Sequence, residues 1–493
     1  MSEKPDWERF GRASKAEATV ITELNGWRRS PRTFDVASYY CQILLHRAHT
    51  VMLAEQGIIE NNEAEKIING ITEVEKSASQ DTSLVGYMST ETTLIKLIGE
   101  VGGKMHIGRS RNDLSHAQRR MFFRDQTERL IGAIIEFEQM LLKKAEDNID
   151  TIMPGYTHIR QAQPITLAHY LLAHIDAADR SIHRLEDIYG RTNLNPLGSA
   201  ALAGTSWPID RNRTMELLGF DDLCENSIDS VATIDYVMEL ASAVSIHMSN
   251  LSRLAEDIQI WSSDEYAMID LDEKFAGTSS IMPQKKNPLI LESIKSYSAE
   301  SIGNMVSVVA SMKGVTYTNT YDRILLEPVA VDTAVGSTNV MAGVVSTMIP
   351  SMKVMAKNLR DGFSTTTDLA DALVRIHILS FRQAHDIVVD VVLKAIEQGM
   401  KVKDITPALV EESSLKVIGK KLSISEAEIE SAVDPEENLW RRNSVGGPAP
   451  ESVRKMIQAR KLLVKENAER TKRRLGKLAQ AYNDLGKAET QLK

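Results

Sequence analysis

The chain has 493 residues, of which 43% are hydrophobic and 25% charged, a balance that is ordinary for a globular protein. Its formal net charge of −9 at pH 7 argues against a nucleic-acid binder, because such proteins usually carry a basic domain or stripe. No apolar run approaches the ~20 residues of a membrane helix, and residues 1–15 lack the apolar core of a signal peptide. We therefore expect a cytoplasmic protein. Cys41 and Cys224 follow no metal-binding or redox spacing and are expected to be buried.

Helical periodicity dominates the chain. Apolar residues recur every three or four positions over 121–144, and long helices are also predicted over 165–189, 231–261 and 289–312. Helices of roughly 25–30 residues are longer than the ~11–12 of typical globular helices and need one another to bury their faces. The sequence therefore predicts an all-α protein around a central long-helix bundle. Small residues on several faces of the 289–312 helix predict close packing near the centre of an oligomer.

Two loops suggest the domain boundaries. Residues 102–113 and 361–368 contain the breaks, so we predict an N-terminal helical domain over 1–113, a central bundle domain over 114–362 and a small C-terminal helical domain over 363–493. The segment after the Gly-Pro loop at 446–450 is charged with a narrow apolar stripe and is predicted to be helical. Its basic run, Lys472 to Arg474, is expected to be a solvated face.

The loop at 277–288, GTSSIMPQKKNP, combines hydroxyl, ammonium and carboxamide groups. Asn287 is predicted to be the N-cap of the following helix and Pro288 its first residue. The free N–H groups of a helix start attract anions, so this loop suits binding a carboxylate and stabilising charge that develops on it. Composition alone also fits an ordinary polar surface loop.

Three other segments carry polar groups in tight spacing. Residues 104–113, KMHIGRSRND, place two arginines, a serine and an asparagine where they can grip carboxylates, or merely cap a helix and form surface ion pairs. Residues 155–164, GYTHIRQAQP, place His158 before what the sequence suggests is a proline-started helix. Residues 195–205, NPLGSAALAGT, form a small-residue turn that is suited to close backbone packing.

These motifs, in this order, resemble those of the fumarase/aspartase superfamily, whose shared loop reads GSSxMPxKxNP. Within it the chain is most similar to the argininosuccinate lyase branch, which has HTGRSRND where this chain has Ile107 in place of Thr. Segments 367–374, 381–385 and 446–453 also resemble the last domain of that family. The resemblance runs from about residue 34 to about residue 461.

The resemblance implies β-elimination of an amine from an N-substituted aspartate, with release of fumarate and without a metal or other cofactor. Ser279 would be the general base, with Lys285 and Asn287 stabilising the aci-carboxylate and His158 a candidate on the acid side. The other substrate-binding residues that the resemblance implies are Ser110, Arg111, Asn112, Thr157, Gln163, Ser280, Met282, Tyr321 and Arg323. It also implies a homotetramer in which three subunits build each site around a small-molecule substrate.

The amine side of the expected site departs from the family pattern. Thr233 and Ile234 stand where argininosuccinate lyases usually have Asp and Arg, and Leu289 stands where they have Asp. The stretch 317–326 lacks the usual Gln and Lys, and residues 25–32 bring Arg28, Arg29 and Arg32. Two substrates therefore remain open: argininosuccinate, and an aminopolycarboxylate such as ethylenediamine disuccinate, with the arginines either in the pocket or on the surface. A non-catalytic, crystallin-like homologue is the alternative of another class.

Overall fold

The computed structural model describes residues 32–80, 87–278, 281–282, 284–320 and 330–492. Helices account for most of these residues, and the predicted all-α fold is confirmed. The helices are α1 Arg32–Glu55, α2 Asn61–Gln80, α3 Tyr87–Ile98, α4 Arg111–Glu146, α5 Leu167–Thr192, α6 Arg211–Leu218, α7 Ser227–Ala232, α8 Asp235–Trp261, α9 Leu289–Met312, α10 Val331–Thr347, α11 Met352–Asp361, α12 Thr366–His377, α13 Phe381–Glu397, α14 Pro407–Ile418, α15 Glu426–Val433, α16 Pro435–Arg441 and α17 Pro450–Gln491.

Within the described ranges, short strands and three 3₁₀ turns connect the helices. The 3₁₀ turns are Glu100–His106, Glu273–Phe275 and Val402–Asp404. The strands pair two by two, parallel in β3–β4 and antiparallel in the other three pairs. They are β1 Ile152–Thr157, β2 Arg160–Thr166, β3 Leu194–Asn195, β4 Asp222–Leu223, β5 Ile269–Asp270, β6 Gly277–Thr278, β7 Lys286–Asn287 and β8 Ile349–Pro350.

The centre of the molecule is a bundle of long helices. α4, with 36 residues, packs against α5 and α10, while α8 packs against α9 and α5. Three of the four predicted long helices lie within or close to α4, α5 and α9. The fourth prediction was wrong at its start, because Thr233 adopts an extended backbone (φ −86°, ψ 144°) and separates α7 from α8. The hydroxyl of Thr233 accepts from the amide of Asp235 at 3.4 Å, and α8 begins after Ile234 without a side-chain cap.

Buried apolar side chains form two clusters. The larger draws on α1 to α5 and α8 to α10 and also on α17, whereas the smaller draws on residues 369–433. The helices before residue 113 and the last helix share the larger cluster, so the clusters do not by themselves mark the predicted boundaries, which stay predictions. Cys41 and Cys224 are buried, as expected. None of the described helices is long and apolar enough to cross a bilayer.

The last helix is anchored to the bundle by charges. Arg474 was expected to be solvated, but its guanidinium pairs with Glu128 and, at 2.8 Å, with Glu186. The prediction was wrong for this residue because α17 lies along α4 and α5, which turns Arg474 toward their carboxylates. Lys472 and Arg473 are exposed, as expected.

Glu138 is a buried carboxyl whose protonation is linked to stability. Burial, reinforced by the nearby Asp179, raises the pKa of Glu138 to about 8, although Asn467 donates to it. The folded state therefore holds a proton between the unfolded pKa of about 4.3 and pH 8, so stability falls as pH rises through this window. Glu138→Gln should raise the free energy of unfolding at pH 8 by on the order of 2 kcal/mol and change little at pH 4.

Urea unfolding of Glu138→Gln at the two pH values measures this difference. Glu136→Gln, an exposed neighbour on α4, is the matched control and should behave as wild type at both. Equal effects of Glu138→Gln at pH 4 and pH 8 would contradict a protonated carboxyl at this position.

Candidate active site

The segment 108–113, here called the GRSRND segment, forms the start of α4. Ser110 is the N-cap, and its hydroxyl accepts from the amide of Asn112, as the sequence suggested. Asp113 completes the capping box: its Oδ1 accepts from the amides of Ser110 and Leu114, each at 2.9 Å. Ser110 is half-buried, while Arg111 at the first helical position is exposed and makes no side-chain hydrogen bond or ion pair in the described part of the chain.

Asp113 also joins this segment to the small-residue turn. Its Oδ2 accepts from the amides of Gly198 and Ala200, both at 2.9 Å. Gly198 has φ +91°, and a Cβ at this position would lie 2.8 Å from side-chain atoms of Arg211 and Ile209, so the turn needs glycine there. The predicted close packing of this turn thus serves to hold the start of α4 through one fully buried carboxylate.

Two histidines of α1 hold the same segment from the other side. His49 donates from Nε2 to the carbonyl of Ile107 at 2.8 Å, and Nδ1 of His46 lies 2.6 Å from the Arg109 guanidinium. Because a guanidinium can only donate, Nδ1 of His46 must accept. Burial, with Arg109 as the second cause, lowers the pKa of His46 well below its usual value and that of His49 to about 3, so both rings stay neutral. Sequence analysis missed these two residues; their spacing of three on one helix was the available signal.

The segment carrying His158 is a β-hairpin, here called the 152–166 hairpin. The expected proline-started helix was wrong, since Pro164 pairs with Pro154 inside the strands and α5 begins only at Leu167, capped by Thr166. His158 and Ile159 form the tip with φ of +54° and +60°. A left-handed backbone is costly for the β-branched Ile159. The hairpin keeps this strain because a two-residue turn of this type needs positive φ at both of its central residues. Thr157, His158 and Gln163 are exposed, and the described residues offer the His158 ring no hydrogen-bond partner.

The loop 277–288 closes on itself before α9. Gly277 pairs with Asn287, and Thr278 with Lys286, in a short antiparallel ladder. This pairing makes the predicted capping wrong by one residue, because it holds Asn287 in a strand, leaving Pro288 as the N-cap without a side-chain cap. Lys286 pairs with Asp270 at 3.1 Å, whereas Lys285 is exposed and its ammonium has no partner among the described residues. Met282 is exposed, and Asn287 is half-buried.

The residues of the expected site lie at two ends of the bundle. Arg111 begins α4, and the 152–166 hairpin follows its end at Glu146. At 1.5 Å per residue the 36 residues of α4 span about 54 Å, and hairpin strands of about 20 Å folded straight back would still leave the tip about 34 Å from Arg111. Within one chain, Arg111 and His158 therefore cannot contact one small molecule.

The loop 277–288 belongs to the hairpin's end of the bundle. α9 starts beside the end of α8, where Gln259 donates to Glu292, and α8 ends with Trp261 against Tyr170 of α5. The other end of α9 leads to Asn319, which donates to Asn112 at 2.6 Å. Asn112 in turn donates to the carbonyl of Ala201 at 3.0 Å. The GRSRND segment, the small-residue turn and residue 319 thus form one cluster.

The 317–319 stretch also contacts α7, the short helix that ends just before Thr233. The hydroxyl of Tyr317 donates to Asp229, and this bond raises the pKa of Tyr317 to about 12. Ser279, Ser280, Tyr321 and Arg323 lie outside the described residues, as do Arg28 and Arg29, so their predicted roles stay predictions. For Arg32 only the backbone is described, as the first residue of α1.

Comparisons with known proteins agree with this fold and these motifs. Residues 29–303 match a family model described as a lyase, and residues 363–439 match the C-terminal domain model of argininosuccinate lyase. The argininosuccinate lyase of Methanosarcina mazei is 40% identical over 446 residues, which cover 87% of this chain and 88% of that protein. That of Bacillus cereus is 39% identical over 85% of this chain and 91% of its own length.

A solved structure of an EDDS lyase variant with bound fumarate is also similar. Its TM-score is 0.96 at 42% sequence identity, with 99% of this chain and 98% of that chain covered. The fold and the matched motifs define a fumarate-releasing lyase of the fumarase/aspartase superfamily. Within that superfamily the chain belongs to the argininosuccinate lyase branch and is a carbon–nitrogen lyase.

Proposed function

We propose that this protein eliminates fumarate from argininosuccinate as a homotetramer in arginine biosynthesis, with each active site built by three subunits. The names and full-length similarity of the argininosuccinate lyase relatives support the substrate. The distance between Arg111 and His158 supports shared sites, because one chain cannot supply both groups to one ligand. An exposed apolar stripe on α8 and α9 supports burial between copies; its members are Ile246, Ile302, Val306 and Val309.

The observation that carries this proposal is the state of three side chains. Arg111, His158 and Lys285 are exposed, and none has a side-chain hydrogen bond or ion pair with the described residues. Arg111 lies at a capped helix start, His158 at a hairpin tip, and Lys285 in a loop closed by strand pairing. These three side chains suit the binding of an anionic substrate, because their hydrogen-bond donors are not used within the described residues and can contact the substrate instead.

In the proposed reaction Ser279, as its alkoxide, takes the proton from Cβ of the substrate. The electron pair moves onto the adjacent carboxylate, and Lys285 with Asn287 stabilises the resulting dianionic aci-form. The Cα–N bond then breaks, fumarate forms, and the departing nitrogen takes up a proton, with His158 the candidate to supply it. Ser110, Arg111, Asn112, Thr157, Gln163, Ser280, Met282, Tyr321 and Arg323 would bind and orient the substrate.

The similarity to an EDDS lyase supports a second candidate substrate. The EDDS lyase structure matches this chain at 42% identity, slightly above the argininosuccinate lyase relatives cited here. The departures at Thr233, Ile234 and Leu289 remove charged groups from the amine side. An amine carrying carboxylates, as in ethylenediamine disuccinate, is therefore the second candidate leaving group.

Fumarate absorbance in the ultraviolet tests the proposal. Wild type, Ser279→Ala and the control Ser77→Ala, which alters a half-buried serine of α2, are offered argininosuccinate and then ethylenediamine disuccinate. We expect fumarate from argininosuccinate with wild type and Ser77→Ala and its loss with Ser279→Ala. Fumarate only from ethylenediamine disuccinate would overturn the substrate and keep the reaction class. Fumarate release that survives Ser279→Ala would overturn the proposed base.

A further inference from the structure

The 152–166 hairpin borders an open cavity of about 490 Å³, which we call the hairpin cavity. The hairpin forms one wall, the first turns of α5 form the second, and the end of α8 with the loop after it forms the third. Thr157 and Gln163, two predicted substrate-binding residues, are exposed and line it, so the cavity lies directly beside the expected active-site surface. A volume of this size suits a small organic molecule.

Tyrosine and tryptophan rings line the hairpin cavity on more than one side. Tyr170 packs edge-on against Trp261 with ring centroids 4.6 Å apart, and Tyr156 lies 6.1 Å from Tyr266. Burial raises the pKa of Tyr156 to about 12, so its hydroxyl stays neutral and donates to the sulfur of Met268. Uncharged aromatic rings on several sides of one cavity provide electron-rich faces to which organic cations bind.

Among the described residues that line this cavity, Asp257 is the one carboxylate. Its Oδ2 accepts from the hydroxyl of Tyr170 at 2.6 Å, whereas its Oδ1 has no hydrogen bond within the described ranges. The ring of His174 packs on Tyr170, and burial lowers the pKa of His174 to about 4, so it adds no positive charge near neutral pH. A carboxylate oxygen without a partner, beside aromatic rings, favours a positively charged ligand.

An arginine places a positive charge near this carboxylate. Arg253 lies one turn before Asp257 on α8, is exposed and does not line the cavity, but its charge acts on Tyr170 and His174. Removing the charge of Arg253 should therefore strengthen the binding of a cation, whereas removing the charge of Asp257 should weaken it. Opposite effects of two residues one turn apart are a stringent test of the electrostatic argument.

We propose that the hairpin cavity binds an organic cation of the guanidinium or ammonium class, between the aromatic rings and Oδ1 of Asp257. Such a cation has two possible sources: the amine end of the lyase's own substrate or a separate small-molecule effector. In either case the ligand contacts the hairpin that carries His158, so its binding affects the expected active site. The existence of the cation site does not depend on the proposed substrate.

Calorimetric titration with agmatine tests the site. Agmatine carries a guanidinium and an ammonium group but no carboxylate, so it cannot use the carboxylate-binding groups of the proposed active site. We expect saturable binding to wild type, weakened at least about tenfold in Asp257→Asn and strengthened in Arg253→Gln. Asparagine keeps an oxygen for the Tyr170 hydroxyl. Glu256→Gln, which alters only an exposed carboxylate paired with Lys295, should bind as wild type.

No saturable binding to wild type, or equal affinity of wild type and Asp257→Asn, would overturn the proposal. If Asp257→Asn does not fold, Tyr266→Leu gives a second test, because it removes one aromatic face and should also weaken binding. Agmatine that inhibits fumarate release competitively would identify the cation as the amine end of the substrate, and a non-competitive effect would identify a separate effector. This last arm rests on the proposed function, whereas the titration does not.

Discussion

An equal mixture of Arg111→Ala and His158→Asn subunits is expected to release fumarate at about a quarter of the wild-type rate, although each variant alone should be at least about a hundredfold slower. The reason is the length of α4, which separates the two residues of one chain by at least about 34 Å. If each site takes these groups from different subunits, random mixing gives an intact pair with a chance of one half times one half. The measurement is fumarate absorbance after the two variants are dissociated together in mild denaturant and reassembled.

A second mixture serves as the matched control for this experiment. Arg111 and Asn112 lie on the same GRSRND segment, so a mixture of Arg111→Ala with Asn112→Ala should recover nothing: every subunit then brings one damaged copy of that segment. Recovery in both mixtures would point to a trivial effect of reassembly. Absence of recovery in the first mixture, with tetramers formed, would exclude sites shared between subunits.

Replacing Asp113 is expected to have the largest effect on stability of any single change considered. Its two oxygens accept from four backbone amides, those of Ser110, Leu114, Gly198 and Ala200. Asp113→Ala leaves the amides of Ser110, Gly198 and Ala200 without this acceptor, whereas the Leu114 amide keeps the Ser110 carbonyl at 3.3 Å. We expect the free energy of unfolding to fall by about 3 kcal/mol. Asp113→Asn should be nearly as harmful, because its NH₂ group would face amides that also donate.

Urea unfolding at a fixed protein concentration measures both variants, since the stability of an oligomer depends on concentration. Asp147→Ala, which removes an exposed carboxylate paired with Lys143 at the other end of α4, is the control and should cost less than about 1 kcal/mol. Asp113 variants that still fold should also show a raised KM for the substrate, because Arg111 and Asn112 lose their fixed position. A loss below 1 kcal/mol for Asp113→Ala would contradict the role assigned to this carboxylate.

The motifs were sufficient to predict the family, and helical periodicity was sufficient to predict the all-α class. Both predictions depend on local features: the residues within each motif, and apolar residues that recur every three or four positions along the long helices. Four motifs in family order also predicted a lyase that releases fumarate. The predicted role of Ser279 rests on the motif alone, since that residue lies outside the described part of the chain.

Local rules failed where a partner distant in sequence decided the conformation. Asn287 has the side chain of a helix cap, but Gly277 pairs with it and holds it in a strand. Pro164 fits a helix start, but its strand pairs with residues before His158 instead. Arg474 reads as solvated until α17 is placed against Glu128 and Glu186. In each case the energy of a contact across the fold outweighs a local preference of about 1 kcal/mol.

The sequence by itself determined which chemical groups this protein possesses and in which order they occur. Only the tertiary structure decided where they lie: Arg111 at one end of the bundle, and His158 and Lys285 at the other. The tertiary structure also showed how His46, His49 and Asp113 hold the GRSRND segment. It placed aromatic rings and Asp257 around one cavity. The physical reason is that burial and hydrogen bonding between distant segments depend on the packing of whole helices, which no local sequence window contains.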